Sequence, residues 1–402
     1  MKPLKVLQIV PSISLVYGGP SQMVRGLSEA LAQQAQIAQV TILTTDANGD
    51  IDESPLAVPL SQPVPQDGYE IIYFRCSPFR RYKFSLGLLS WLWQNAQHYD
   101  IAHIHALFSP ISTAAATVCR WQQLPYLMRP LGTLDPADLQ KKKRAKQLYA
   151  ALLEKPNLAG AAAIHFTSEQ EAKVSERFGS NAPDLVIPLG VAPPTLPGRT
   201  AAKAAIQRQF NIPSERSIVL FMSRIDPKKG FDLLLPALEK LHQQQCPFHL
   251  LLCGANPQDR AYETSIREQI ATSIWAHQAT LNGFVSGELK AQILSAADVF
   301  VLPSYYENFG IAVAEAMAAQ IPVIISDQVH IWPAIQSSQS GWVVPTETTA
   351  LTAALKTALS DGEERRQRGK NARQCAIENY SWQAIAQQIT HSYQAILSPA
   401  KP

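Results

Sequence analysis

From its first residues the chain alternates short runs of β-branched and aliphatic side chains with longer amphipathic segments. Runs that are apolar at nearly every position need cover on both faces, so the alternation predicts parallel sheets with helices on each side. In the first half, strands are predicted at Lys5–Val10, Val40–Thr45, Glu70–Arg75, Ile101–His105, Tyr126–Arg129, Ala163–Thr167 and Leu185–Pro188. A stretch dense in Pro and Gly follows, PLGVAPPTLPG over 188–198, which suits neither a helix interior nor a central strand and lies almost at mid-chain. The pattern then restarts, with strands predicted at Ile218–Ser223, His249–Cys253, Thr280–Phe284, Val299–Leu302, Val323–Ser326 and Trp342–Val344. Two doubly wound, Rossmann-like α/β domains are expected, 1–195 and 196–380. The closing residues 381–402 are expected to form a helix that crosses back to the first domain.

A chain of 402 residues fits two domains better than one core. With 46% hydrophobic and 17% charged residues, it reads as folded throughout. The formal charge of +3 is too small to indicate a nucleic-acid partner. Positive charge does gather in Lys141-Lys142-Lys143-Arg144-Ala145-Lys146, either a solvated helix face or a contact for an anionic membrane surface or an acidic acceptor. Cys76, Cys119, Cys246, Cys253 and Cys375 are odd in number and lie far apart without a C-x-x-C pair, which points to a reducing compartment and away from structural zinc. The opening MKPLKVLQIVP has too short an apolar run for a signal peptide, and no later stretch approaches the ~18 apolar residues of a membrane span. A cytoplasmic protein, at most peripheral to the inner face of the plasma membrane, is expected.

Open α/β sheets bind ligands beyond the carboxyl ends of their strands. There the segment VFVLPSYYENFGIAVAEAM, residues 299–317, runs from a buried strand through a glycine turn into an Ala-rich helix. A helix start of this kind offers free N–H groups and a positive dipole end, an anion site. Glu307 precedes the helix and Glu315 lies roughly 8 Å further along it at ~1.5 Å per residue. By spacing alone, Glu315 could equally sit on the helix surface and Glu307 merely partner the dipole. The second segment, FMSRIDPKKGF over 221–231, also leaves a strand for a loop and a helix start, and its Arg224 and Lys229 could converge on a diphosphate.

The pair of motifs, R-x-x-x-x-K-G and then E-N-F-G-x-x-x-x-E, on a double α/β background resembles glycosyltransferase family 4, the group 1 glycosyl transferases. The resemblance covers nearly the whole chain and implies a GT-B fold, a retaining reaction, no metal and no cofactor. It implies that Arg224 and Lys229 hold the donor's diphosphate, that Glu307 meets the donor sugar and that Glu315 meets the ribose. Backbone amides at Phe309, Gly310 and Ile311, next to Asn308, would face the distal phosphate and sugar. Ser223, Gly254 and the loop Gly283-Phe284-Val285 resemble the family's remaining donor-binding loops. The glycine pair Gly18-Gly19 after the first strand would approach the donor phosphates or the acceptor, and His105, sharing a strand face with His103, would contact a substrate. Arg129 and Asp135 are candidate acceptor contacts. In the hinge, Leu189 stands where the family usually has Asn. Asp50-Ile51-Asp52, formally a D-x-D pair, reads as a solvated loop.

The expected reaction is same-face attack by an acceptor hydroxyl as the diphosphate leaves, with Glu307 orienting the donor sugar and closure about 188–198 excluding water. UDP-glucose is the expected donor, and a glycan or lipid-linked oligosaccharide in polysaccharide biosynthesis the expected acceptor. Alternatives are a GDP-mannose-dependent mannosyltransferase, a GT-B sugar-nucleotide epimerase and an inert scaffold. A nicotinamide oxidoreductase is disfavoured because no G-x-G-x-x-G follows a strand.

Overall fold

The computed structural model describes every residue except 1, 15–18, 50–53, 78–82, 136–138, 140–147, 193–197 and 399–402. It divides into two compact units, one made of Met1–Gly190 with Trp382–Pro402, the other of Val191–Ser381. The division falls at Gly190/Val191, not at 195/196, and the stretch that rejoins the first unit begins at Trp382.

The first unit is built on β1 (Leu4–Ser12), β2 (Ile37–Thr45), β3 (Pro63–Pro65), β4 (Glu70–Phe74), β5 (Ile101–His105), β6 (Tyr126–Arg129), β7 (Ala163–Phe166) and β8 (Asp184–Val186). They lie in the order β3-β4-β2-β1-β5-β6-β7-β8, all parallel except β3, an antiparallel edge strand on β4. Strand alternation sorts the core into two layers. Leu7, Ile9, Ala102, Ile104, Met128 and Ile164 bury on one face, and Leu4, Val6, Ile101, Leu127 and Ala163 on the other. The terminal helix Trp382–Leu397 packs on the second face through Ile385, Ile389 and Tyr393. The Trp382 indole fits there because both of its backbone neighbours lack side chains. A Cβ on Gly26 would lie 2.6 Å from the ring, and one on Gly190 only 2.1 Å.

The second unit carries β9 (Ser217–Met222), β10 (Phe248–Cys253), β11 (Ala279–Gly283), β12 (Val299–Leu302), β13 (Val323–Ser326) and β14 (Gly341–Val344), ordered β11-β10-β9-β12-β13-β14 and parallel throughout. The order reverses between β9 and β12, so the loops leaving these two strands diverge from a shared crevice. Both chemistry-bearing motifs of this unit are on those loops. Among the described residues no helix is long and apolar enough to cross a membrane.

Candidate active site

After β9 the chain passes through Ser223 and Arg224 into a short 3-10 turn, Pro227–Lys229, capped by the Asp226 side chain on the Lys228 N–H at 3.1 Å. Gly230 then takes a left-handed conformation (φ +73°) and starts the helix Phe231–Gln243. Only glycine fits at this point. A Cβ would lie 2.1 Å from the carbonyl oxygen of Pro303, on the loop that leaves β12. The close approach lets the two loops bond directly, with the Tyr305 N–H donating to the Lys228 carbonyl at 2.8 Å and the Tyr305 hydroxyl donating to Asp232 at 2.6 Å.

The same approach swings Lys229 inward. Its side chain is only 6% exposed, and its Nζ donates to Oε2 of Glu307, which is 20% exposed. The Glu307 backbone is held from the other side by the loop after β13, since its N–H donates to the Gln328 carbonyl (3.1 Å) and its carbonyl accepts from the His330 N–H (3.0 Å). Burial pushes the Glu307 carboxyl up, but Lys229 by charge and hydrogen bond, aided by the charges of Lys228 and Arg224, brings it below its ordinary value. Glu307 is therefore an ionised carboxylate at neutral pH. Burial and the neighbouring Lys229 lower Lys228. Arg224 is exposed, with one long bond to Gln258 (3.4 Å).

Gly310, left-handed at φ +77°, opens the helix Ile311–Ala318. A Cβ on it would stand 3.4 Å from Cγ of Glu307, so the unsatisfied N–H groups of the helix start beside the Lys229–Glu307 pair. Asn308 and Ile311 are half-buried there, whereas the Phe309 ring turns into the core, edge-on to Tyr380 at 5.4 Å. Glu315 is ion-paired with Lys290 at 2.6 Å on the helix Gly287–Ala296. The carboxyl ends of β9 and β10 approach so closely that a Cβ on Gly254 would lie 1.8 Å from the Ser223 carbonyl. Gly283 is left-handed with open space around it, Phe284 is 77% exposed and Val285 is buried.

In the first unit, Gly19 begins the helix Gly19–Ala32, while Gly18, Asp50, Asp52 and Lys141 to Lys146 lie outside the described residues. His105 is as fully buried as His103, and the rings stack at 4.7 Å. Strand register explains their company. Gln8 pairs with His103, His105 with Arg129, and Leu127 with Ala163, so that alternation puts Gln8, His103, His105, Arg129 and His165 on one sheet face. Asp135 is buried just beyond β6. Burial, with the Arg129 charge, depresses all three histidines well below their ordinary value.

Two family models cover the chain in tandem. Residues 18–190 match the glycosyl transferase 4-like domain, and residues 202–375 match the glycosyl transferases group 1 domain. This chain is a family 4 glycosyltransferase. It is 33% identical over 202 residues to the phosphatidyl-myo-inositol mannosyltransferase of Mycobacterium tuberculosis, spanning 48% of this chain and 51% of that protein. It is 26% identical over 332 residues to the D-inositol 3-phosphate glycosyltransferase of Kineococcus radiotolerans, covering 77% and 75% of the two. For most of the curated relatives it matches, the chain spans about half of their length. Among solved structures it resembles sucrose-phosphate synthase from Thermosynechococcus elongatus (TM-score 0.76, 24% identity, 98% and 99% of the chains) and Anabaena HepE in complex with UDP and glucose (TM-score 0.72, 19% identity, 98% and 100%). These likenesses establish the GT-B fold.

Several residues of the glycosyltransferase's candidate site gave no sequence signal. Lys290 belongs to no motif and meets Glu315 only where two helices pack. Asn256, which donates to the Ile225 carbonyl at 2.9 Å and fixes the β10 loop to the Arg224 loop, looks like any loop asparagine. Gln8 and His165 did leave a trace, as polar residues each flanked by apolar neighbours in a strand.

Proposed function

We propose that this glycosyltransferase moves a hexosyl group with retention of anomeric configuration, from a nucleoside diphosphate sugar to a glycan or lipid-linked oligosaccharide, with UDP-glucose as donor. The observation that carries the reading is the buried Lys229–Glu307 pair at the mouth of the helix Ile311–Ala318, with Lys228 and Arg224 on the same loop. As the bond from the anomeric carbon to the diphosphate breaks, both electrons stay on the phosphate oxygen. Cations and a helix start fixed beforehand stabilise that charge without reorganising. The acceptor oxygen bonds to the anomeric carbon on the same face, and its proton passes to the departing diphosphate. Ionised Glu307 accepts hydrogen bonds from the donor sugar's hydroxyls, and Glu315 those of the ribose, in exchange for part of its contact with Lys290. No step calls for a metal.

A uridine donor is favoured by the Anabaena neighbour, solved with UDP and with UDP-glucose. A GDP-mannose donor is the second reading, favoured by the mycobacterial relative's name. The basic run at Lys141 to Lys146 would hold the enzyme on anionic membrane, near a lipid-linked acceptor. The deciding experiment is a thermal-shift panel of nucleotide sugars in EDTA, followed by NMR of the product's anomeric proton. UDP-glucose should raise Tm most, and the product should keep the donor's α configuration. An inverted product, or turnover only with added Mg²⁺, would refute the mechanism.

A further inference from the structure

We propose that Arg129 is the core of an oxyanion-binding site at the carboxyl edge of the first unit's sheet, taking a phosphoryl or carboxylate group. Arg129 is 1% exposed, and among the described residues its Nε and Nη2 have no hydrogen-bond partner; its Nη1 donates to the Met23 sulfur at 2.8 Å. The nearby carboxylate whose charge supports it makes its own hydrogen bonds elsewhere. Glu171 accepts from the Gly132 N–H (2.9 Å) on one oxygen and from the Thr167 N–H and hydroxyl (2.7 Å each) on the other. Glu171 lends its charge but makes no bond to the guanidinium, and buried N–H groups left unbonded are unfavourable unless a ligand's oxygens meet them. Burial lowers the guanidinium to about 10, which still leaves it charged at neutral pH.

The free atoms suit that ligand. Nε and Nη2 share one edge of the guanidinium, the edge that grips an oxyanion through two parallel N–H bonds. The histidines cannot supply negative charge, and a single chain of hydrogen bonds sets their tautomers. His165 Nε2 must donate to the Ile187 carbonyl (2.8 Å), so its Nδ1 accepts from His103 Nε2 (3.1 Å). His103 Nδ1 then accepts from the Tyr393 hydroxyl (2.8 Å), which in turn accepts from Gln8 Nε2 (3.2 Å). The Gln8 carbonyl accepts from His105 Nε2 (2.7 Å), which leaves His105 Nδ1 a bare, buried acceptor. Beside the Arg129 fork it would accept a hydroxyl, so the site fits an oxyanion flanked by an O–H group. On the transferase reading above, that group belongs to the acceptor, which is then anionic; anion binding itself does not depend on that reading.

The test uses the full chain labelled with ¹⁵N-histidine. Inorganic phosphate and, separately, acetate are titrated in while the imidazole signals are followed. An anion on Arg129 offsets the charge that depresses His103, His105 and His165, so their signals should move in wild type and in Lys229→Ala, whose second-unit site is disabled, but not in Arg129→Met. Movement with phosphate alone assigns a phosphoryl group, and movement with acetate a carboxylate. Still signals in wild type with both anions, or movement preserved in Arg129→Met, would each overturn the site. In transfer assays Arg129→Met should raise KM at least tenfold more for phosphorylated or carboxylated acceptors than for neutral ones. Equal loss for both classes would remove the acceptor assignment while leaving the anion site standing.

Discussion

The two units are built alike, each a parallel sheet whose carboxyl edge gathers cations, yet they handle that charge in opposite ways. In the second unit each of the two motif carboxylates has a lysine, Lys229 for Glu307 and Lys290 for Glu315. In the first, Arg129 stands among three neutral histidines, and the nearby Glu171 carboxylate makes its hydrogen bonds to Gly132 and Thr167 instead. The paired edge holds its geometry without a ligand, as a preorganised donor site must. On the proposal above, the other edge is complete only when a ligand brings oxygens to the open Nε and Nη2 of Arg129. The difference teaches that the topology supplies the location, while a few side chains decide whether a site arrives charged or neutral.

The largest expected effect breaks the paired edge. Lys229→Ala and Glu307→Ala should each lower kcat/KM for transfer by about 10²–10³-fold or more, the scale of losing one preorganised charge contact, with circular dichroism unchanged. Wild-type rates in both variants would mean that the chemistry is elsewhere. Next is acid. The histidines of the first unit have folded values below their unfolded value of about 6.5, so below that pH the unfolded chain binds more protons than the folded one and stability falls as pH drops. Each histidine contributes at most about 1.4 kcal/mol per pH unit. The depressed carboxyl of Glu307 contributes stability present above its unfolded value of about 4.5, and loses it only as pH falls through its lower folded value. Hydrogen exchange followed across pH 7 to 4 should therefore show β5–β7 loosening before the β9 and β12 loops. Simultaneous loosening would contradict the contrast.

Smaller effects sharpen it. Gly230→Ala combines positive φ with a Cβ driven into the Pro303 carbonyl, and should cost about 3 kcal/mol in urea unfolding and misplace Lys229. Gly283→Ala has the same sign of φ but open space, and should cost only about 1 kcal/mol. Equal costs would mean that the packing of the two motif loops is not what demands the glycine.

Much of this was legible in the chain. Continuous apolar runs such as Val299–Leu302 and Tyr126–Arg129 declared themselves as buried parallel strands with their ends correct. The three-residue edge strand Pro63–Pro65 did not, because two of its residues are prolines and nothing alternates over so short a span. Glu307, Arg224 and Lys229 could be named as candidates from motif spacing, but not that Lys229 would be the buried partner and Arg224 exposed. That depends on Gly230 fitting against Pro303, a contact between loops far apart in sequence. The hydrogen-bonded chain from Ile187 to His105 was hidden for a related reason. Its members come from β1, β5, β7, the residue after β8 and the terminal helix, and only strand register brings them together.

The central claim is that a metal-free ionic pair at a helix start receives the donor's diphosphate. Calorimetric titration of UDP into the full chain, in EDTA, tests it most directly when wild type is set beside Lys229→Ala. The account predicts binding in wild type without metal and a Kd at least tenfold weaker in the variant, a difference of about 1.4 kcal/mol or more. Equal affinity in the two proteins, or wild-type binding only after Mg²⁺ is restored, would contradict it.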